Sequence, residues 1–217
     1  MVEDRRFIVF LALLCVILAA AAYVGYRFLT GHAAATPSPS PTAADHPAPP
    51  GNATATPAKA ATTPQIKGRY YDKEKGFSIQ FPADWERIAG PQAMGAAVLA
   101  LSPPEGQEDQ YRENVNVFTD DAPAEKNLEE YFQETMAGAH KLLTDLVEYE
   151  KDQVTLGGVP ARRIVISHRL GQVSVKAIEY VLVKGKRGYA ITCSAAPEQF
   201  DKYKPTFEEI AKGFKLE

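Results

Sequence analysis

The side chains able to do chemistry in this chain are few and scattered. Beyond residue 65 the only histidines are His140 and His168, and the only cysteine is Cys193. Cys193 alternates with Tyr189 and Ile191, so it reads as a small buried hydrophobe rather than a reactive thiol. His140 falls near the C-terminal end of an expected helix, where positive charge is favourable. His168 follows an apolar run and precedes Arg169, which reads as a strand end facing solvent. G-x-G-x-x-G, a Gly-rich loop ending in Lys-Ser or Lys-Thr, H-E-x-x-H, C-x-x-C and G-x-S-x-G are all missing. The reading is therefore non-enzymatic, with no cofactor and no catalytic residue assigned.

What remains suits recognition. Glu105, Glu108 and Asp109 lie in one loop, where carboxylate oxygens could hold a hard cation, as could Asp120 with Asp121. The plainer reading is a solvated acidic loop, and no metal site is assigned. Lys184, Lys186 and Arg187 make a basic hairpin tip that suits a phosphate headgroup or an acidic partner, or simply keeps a turn soluble. Together with Trp85, Tyr111 and Arg112, these charged residues form the candidate interaction surface. Trp85, the single tryptophan, has a second reading as a core aromatic. The formal charge of the whole chain is −3, and residues 66–217 carry 20 Lys plus Arg against 24 Asp plus Glu. That balance excludes nucleic acid as a partner, because its dominant attraction needs a basic surface.

Those residues must be positioned by a mixed α+β domain. In Gly76–Trp85, Phe77, Ile79 and Phe81 alternate with polar residues until Pro82, the period of a half-buried strand that a donor-less residue ends. Short strands are expected at 69–71, 97–101 and 115–118, with a Pro- and Gly-containing loop over 102–114. Asn127 and Glu130 fit a reciprocal helix cap, and Leu128, Tyr131, Phe132, Thr135, Met136, Ala139 and Leu143 follow at helical spacing. Gly157-Gly158 between two apolar runs predicts a tight hairpin. The run Arg163–His168, with three consecutive apolar residues, predicts a strand in the middle of the sheet covered on both faces. Long strands follow at 173–183 and 189–194. Phe200, Tyr203, Phe207, Ile210 and Phe214 then predict a closing amphipathic stripe, with two short helices meeting at Pro205. The order predicts an antiparallel sheet with at least one helix on each face.

The N-terminal part is of another kind. Residues 1–30 read as a transmembrane signal anchor: Phe7 to Tyr26 carry no charge, and 20 helical residues span about 30 Å, one hydrocarbon thickness. Arg5 and Arg6 before the run send the remainder out of the cytoplasm, to the periplasmic side of an inner membrane. The rival is a cleavable signal cut after Ala20-Ala21-Ala22, but the run exceeds the roughly 7 to 15 residues of a signal core. Residues 31–65, with eight prolines and eleven alanines, predict a disordered tether. Cys15 lies inside the apolar run, which argues against pairing with Cys193.

Several fold-determining stretches resemble the PsbP-like superfamily, which includes bacterial envelope proteins of the DcrB and LpqN kinds. They are Gly76–Ile79 with Phe81–Trp85, Leu156–Ala161, Gly188–Cys193, and Phe200–Tyr203 through Phe207 to Phe214. The resemblance covers roughly residues 68–217. It implies an α/β/α sandwich around a central antiparallel sheet, acting as a binding or assembly module. The function expected is an anchored domain acting on another envelope protein. The alternative is a small-ligand, lipid or cation binder with a pocket between the sheet and the 127–143 helix.

Overall fold

The computed structural model describes residues 66–106, 109, 111–121 and 127–217. The expected anchor, the tether and Glu108 lie outside the described residues. Among the described residues no helix is long and apolar enough to cross a membrane.

Among the described residues ten strands and two α-helices follow in the order β1 (Ile66–Asp72), β2 (Phe77–Pro82), β3 (Glu86–Ala89), β4 (Val98–Leu101), β5 (Asn114–Asp121), α1 (Leu128–Leu142), β6 (Thr144–Leu156), β7 (Val159–Leu170), β8 (Val173–Lys184), β9 (Arg187–Ala195), α2 (Pro197–Lys212) and β10 (Lys215–Leu216). Seven strands form one antiparallel sheet in the order β3-β4-β5-β9-β8-β7-β6. A second, three-stranded sheet has the order β1-β2-β10. The expected single central sheet is thus two sheets: β1 and β2 pair with each other and with the two-residue β10, which no sequence periodicity marks, and not with the large sheet.

Side-chain alternation decides what covers each face of the large sheet. Ile178, Tyr180 and Leu182 of β8 project with Val165, Tyr189, Ile191 and Cys193 into one core, shared with Phe200, Phe207 and Ile210 of α2 and with Phe77, Ile79 and Phe81 of β2. Ala177 and Val181 project the other way, with Ile164 and Ile166, against Tyr131, Phe132, Met136 and Ala139 of α1. One helix therefore sits on each face, and the small sheet shares the α2 side. The run at 163–168 is buried on both faces as expected, although β7 is next to the edge and β9 is the central strand.

The α2 core is rich in aromatic side chains. Phe214 stacks on Phe77 at 5.5 Å and meets Tyr189 edge-on at 5.7 Å, and Trp85 meets Phe207 edge-on at 6.4 Å. Pro205 lies inside one continuous helix instead of separating two. Proline costs about 3 kcal/mol in a helix interior, and the burial of Phe200 and Phe207 on either side of it offsets that cost. Phe214 stands just past the helix end, held as the chain turns into β10. There Arg69 Nη1 donates to Ser78 Oγ at 3.0 Å and to the Gly213 carbonyl at 2.9 Å. Glu217 N donates to the Gly76 carbonyl at 3.0 Å, and Ser78 Oγ donates to Glu217 Oε1 at 2.6 Å.

The α1 helix begins with the expected reciprocal cap: Glu130 N donates to Asn127 Oδ1 at 3.0 Å and Asn127 N donates to Glu130 Oε2 at 3.2 Å. Its first turn is locked to the sheet by Tyr131, whose hydroxyl donates to Asp120 Oδ1 at 2.6 Å. Gly188 lies directly beneath: a Cβ there would stand 2.3 Å from the Tyr131 ring and 2.5 Å from Asp120 Oδ1.

Two consequences are measurable by urea denaturation. Phe207→Ala should cost about 3–5 kcal/mol, the range for emptying a buried aromatic site. Gly188→Ala should cost roughly 1–3 kcal/mol through overpacking. It should cost at least about 1 kcal/mol less in a Tyr131→Ala background, and additivity of the two changes would refute the interlock.

Candidate functional site

At one end of the long strands the loop after β4, the β7–β8 turn and the start of α2 surround an open cleft of about 750 Å³. Glu105, Asp109, Tyr111 and Glu113 line it from the loop, Gln172, Val173 and Ser174 from the turn, and Pro197, Glu198 and Gln199 from the helix. Among the described residues four carboxylates face the cleft and no basic residue lines it.

Local bonding explains why the loop holds this shape. Asp109 accepts from Glu105 N at 2.9 Å and from Tyr111 N at 3.1 Å, so one carboxylate spans both limbs of the loop. Tyr111 is buried in a closed ring of hydroxyl and amide groups. Its hydroxyl donates to Ser194 Oγ at 2.8 Å, Ser194 donates to Asn114 Oδ1 at 3.0 Å, and Asn114 Nδ2 donates back to the Tyr111 hydroxyl at 3.1 Å. Burial raises the Tyr111 pKa and keeps the ring neutral. Arg112 clamps the loop to the sheet edge: Nε donates to the Ser102 carbonyl at 2.6 Å and Nη1 to Glu86 Oε2 at 2.9 Å.

The carboxylates differ in state. Glu105 accepts from Lys202 Nζ at 2.5 Å and from the Tyr203 hydroxyl at 2.7 Å. The Lys202 hydrogen bond, the largest effect, holds it below the usual carboxylate range; burial opposes it, and the Tyr203 hydrogen bond and the Lys202 charge add to the lowering. Glu113 is only 2 % exposed and accepts from Ser102 Oγ at 2.9 Å. Burial pushes its pKa up, and the charges of Glu105 and Asp109 push the same way. Among the described residues no three His, Cys, Asp or Glu side chains stand close enough to hold a metal ion. The cleft presents a spread negative field, suited to an extended cationic surface.

The structure gathers some of the sequence-predicted residues and separates others. Glu105, Asp109 and Tyr111 meet at the cleft, Tyr111 from beneath its wall. Trp85 is 5 % exposed and packs on Tyr203 and Phe207, which fits its reading as a core aromatic and leaves no ring for a partner. Arg112 is spent on the internal clamp. Lys184 and Lys186 are exposed at the opposite end of β8, roughly 33 Å from Ser174 at the rise of an extended strand. Arg187 donates there to the Glu74 carbonyl at 2.7 Å. His168 is buried instead of solvent-facing, because β7 runs on to Leu170, and burial lowers its pKa. Cys193 is buried as expected, which pushes its thiol pKa up. His140 is exposed and its Nε2 lies 2.7 Å from Glu148 Oε1. Sequence reading passed over Glu113 and Glu198. Glu198 carries the signal of an acidic residue in the first turn of a helix, whereas Glu113 carries none, since its role comes from burial.

This combination of a seven-stranded antiparallel sheet, one helix on each face and a small accessory sheet defines a fold class with solved members. The solution structure of cyanobacterial PsbP (CyanoP) from Synechocystis superposes with a TM-score of 0.53 at 16% identity, covering 74% of this chain and 97% of that one. LpqN of Mycobacterium tuberculosis, described as involved in cell envelope biogenesis, superposes with a TM-score of 0.53 at 14% identity, covering 70% of this chain and 91% of that one. The chain belongs to the PsbP family, whose sequence model matches residues 67–216. No curated protein matches it.

Glu113 gives the site a pH signature. Its folded pKa is raised, so its stabilising contribution is full below the unfolded value of 4.5 and is lost as pH rises through the folded value. Glu113→Gln removes that dependence, so the variant should gain in Tm relative to the parent between pH 4 and pH 8. A Tm difference that stays constant over that range contradicts the assignment.

Proposed function

We propose that this chain is a membrane-anchored extracytoplasmic domain that binds another protein of the cell envelope and performs no catalysis, with the acidic cleft receiving a basic segment of the partner. The observation that carries the reading is the cleft itself. Glu105, Asp109, Glu113 and Glu198 converge on it, only Glu105 of the four is ion-paired, to Lys202, and the raised pKa of Glu113 reflects in part the charges of its neighbours. A Lys- or Arg-bearing segment relieves that repulsion, and its approach is accelerated by the focused field. The apolar run over residues 7–26 and the Ala/Pro-rich tether fit an attachment that holds the domain near the membrane at raised effective concentration. The envelope role described for LpqN, a protein of the same fold, agrees with this setting. Against catalysis stand the groups themselves: Cys193 is buried with a raised pKa, and His168 is buried and is not among the described residues that line the cleft.

The test places a photo-crosslinking side chain at Ser174, on the cleft rim, and at Lys186, at the far end of the strands, in the full chain in its membrane. The expected result is a discrete adduct from Ser174 that is absent from Lys186 and disappears in the Glu198→Lys background and at raised salt. Equal patterns from both positions, or no adduct from Ser174, overturn the reading.

A further inference from the structure

On the α1 side of the large sheet two apolar clusters stand apart. One joins α1 to Ile164, Ile166 and Val181, and the other joins Ala93 and Ala96, around the 3₁₀ turn at Gly90–Ala93, to Leu99 and Phe118. Between them runs a polar row. Asn116 of β5 is paired with Thr192 of β9, and Thr192 with Glu179 of β8, so the three side chains stand side by side on one face. They are 2 %, 8 % and 1 % exposed. The next row along the strands, Asn114 and Ser194, closes its hydrogen bonds with Tyr111. This row does not: Asn116 Oδ1 and Glu179 Oε1 have no hydrogen-bond partner.

An unpaired carboxylate in an apolar interior is among the most costly groups a core can contain. Burial pushes the Glu179 pKa up to about 7, and among the described residues no cationic side chain forms an ion pair with it. Arg162 approaches the same face but lies over the Phe132 ring and 3.6 Å from Glu129. Tyr131 of α1 feels the Glu179 charge, yet its hydroxyl is committed to Asp120. Both orphan atoms of the row are acceptors, and one belongs to an ionisable group. The other buried side-chain atom without a hydrogen-bond partner among the described residues is Arg162 Nε, a donor on the neighbouring strand β7. The complement of the two acceptors is therefore a donor that carries positive charge. A neutral hydroxyl would satisfy the geometry and leave the charge unbalanced. The flanking rows on this face are Phe118, Ala190 and Val181 on one side and Asn114, Ser194 and Ala177 on the other, so the small side chains lie next to Thr192 and on one side of Glu179.

We propose that the Asn116–Thr192–Glu179 row is a binding site for a small organic ammonium, held between α1 and the sheet through charge pairing with Glu179 and hydrogen bonding to Asn116. The site lies on the opposite face of the sheet from α2 and makes no use of the acidic cleft. Because the bound cation favours the ionised carboxylate, affinity should fall as pH drops below about 7.

The experiment titrates the full-length protein in detergent at pH 7.5 with ammonium, methylammonium, propylammonium and putrescine. Tetramethylammonium and 1-propanol serve as controls that lack, respectively, the donors and the charge. Thermal shift and isothermal titration calorimetry supply the readouts. At least one donor-bearing ammonium should bind and raise Tm, with affinity reduced tenfold or more at pH 5.5, while both controls fail. Glu179→Gln should abolish that binding while raising the Tm of the free protein. Asn116→Ala should weaken the binding several-fold, and Glu198→Lys should leave it unchanged. The proposal is overturned if no ammonium in the series binds, if 1-propanol binds as well, or if Glu179→Gln binds equally.

Discussion

A strand buried on both faces has to be covered on both, and β8 imposes that requirement on the whole domain. Ile178, Tyr180 and Leu182 point to one side and Ala177 and Val181 to the other, so neither side tolerates water. Its hydrogen-bonding edges are filled by β7 and β9. What remains is to find two apolar surfaces, and the chain supplies α1 before the hairpin block and α2 after it. At roughly 1.5–3 kcal/mol for each large side chain removed from water, the aromatic α2 side is the stronger of the two. The α1 side mixes small and polar residues, and the orphan carboxylate of Glu179 lies there. The two layers thus differ in character: one is a closed aromatic core, the other a lighter cover over a partly polar floor.

The same long strands decide how charge is distributed. Their turns fall at opposite ends of the sheet, so the acidic loop meets the Gln172–Ser174 turn while Lys184 and Lys186 stand at the other extremity. A domain of small negative charge overall is thereby polarised along its strand axis. Such polarity favours orientation of an approaching charged surface before contact.

Sequence made the local features legible where a residue type has one strong structural meaning. Asn127 with Glu130 marked the start of α1, Gly157-Gly158 marked the β6–β7 hairpin, and the aromatic spacing from Phe200 marked α2. Features set by tertiary context were hidden. β6 alternates weakly because it is an edge strand, mostly exposed and rich in charge at Glu148, Glu150, Lys151 and Asp152, as an unpaired edge should be. Pro205 argued for a break that packing on both sides overrode. The acidic loop was recognised as a candidate surface, but Glu113 acquires its shifted pKa from burial, and Glu179 resembles any polar residue in an alternating strand until its partners on the sheet are known.

The small sheet carries a mechanical meaning. β1 is the first described strand, and β10 brings the last residues of the chain onto the other edge of β2, with Arg69 bridging β1 to Gly213. Both ends of the domain are therefore fastened to one ribbon. Tension entering through the N-terminal side loads the β1–β2 ladder before it reaches the seven-stranded sheet. A pull applied at residue 66 would be taken up first by the β1–β2 hydrogen bonds, outside the sheet whose end carries the acidic cleft.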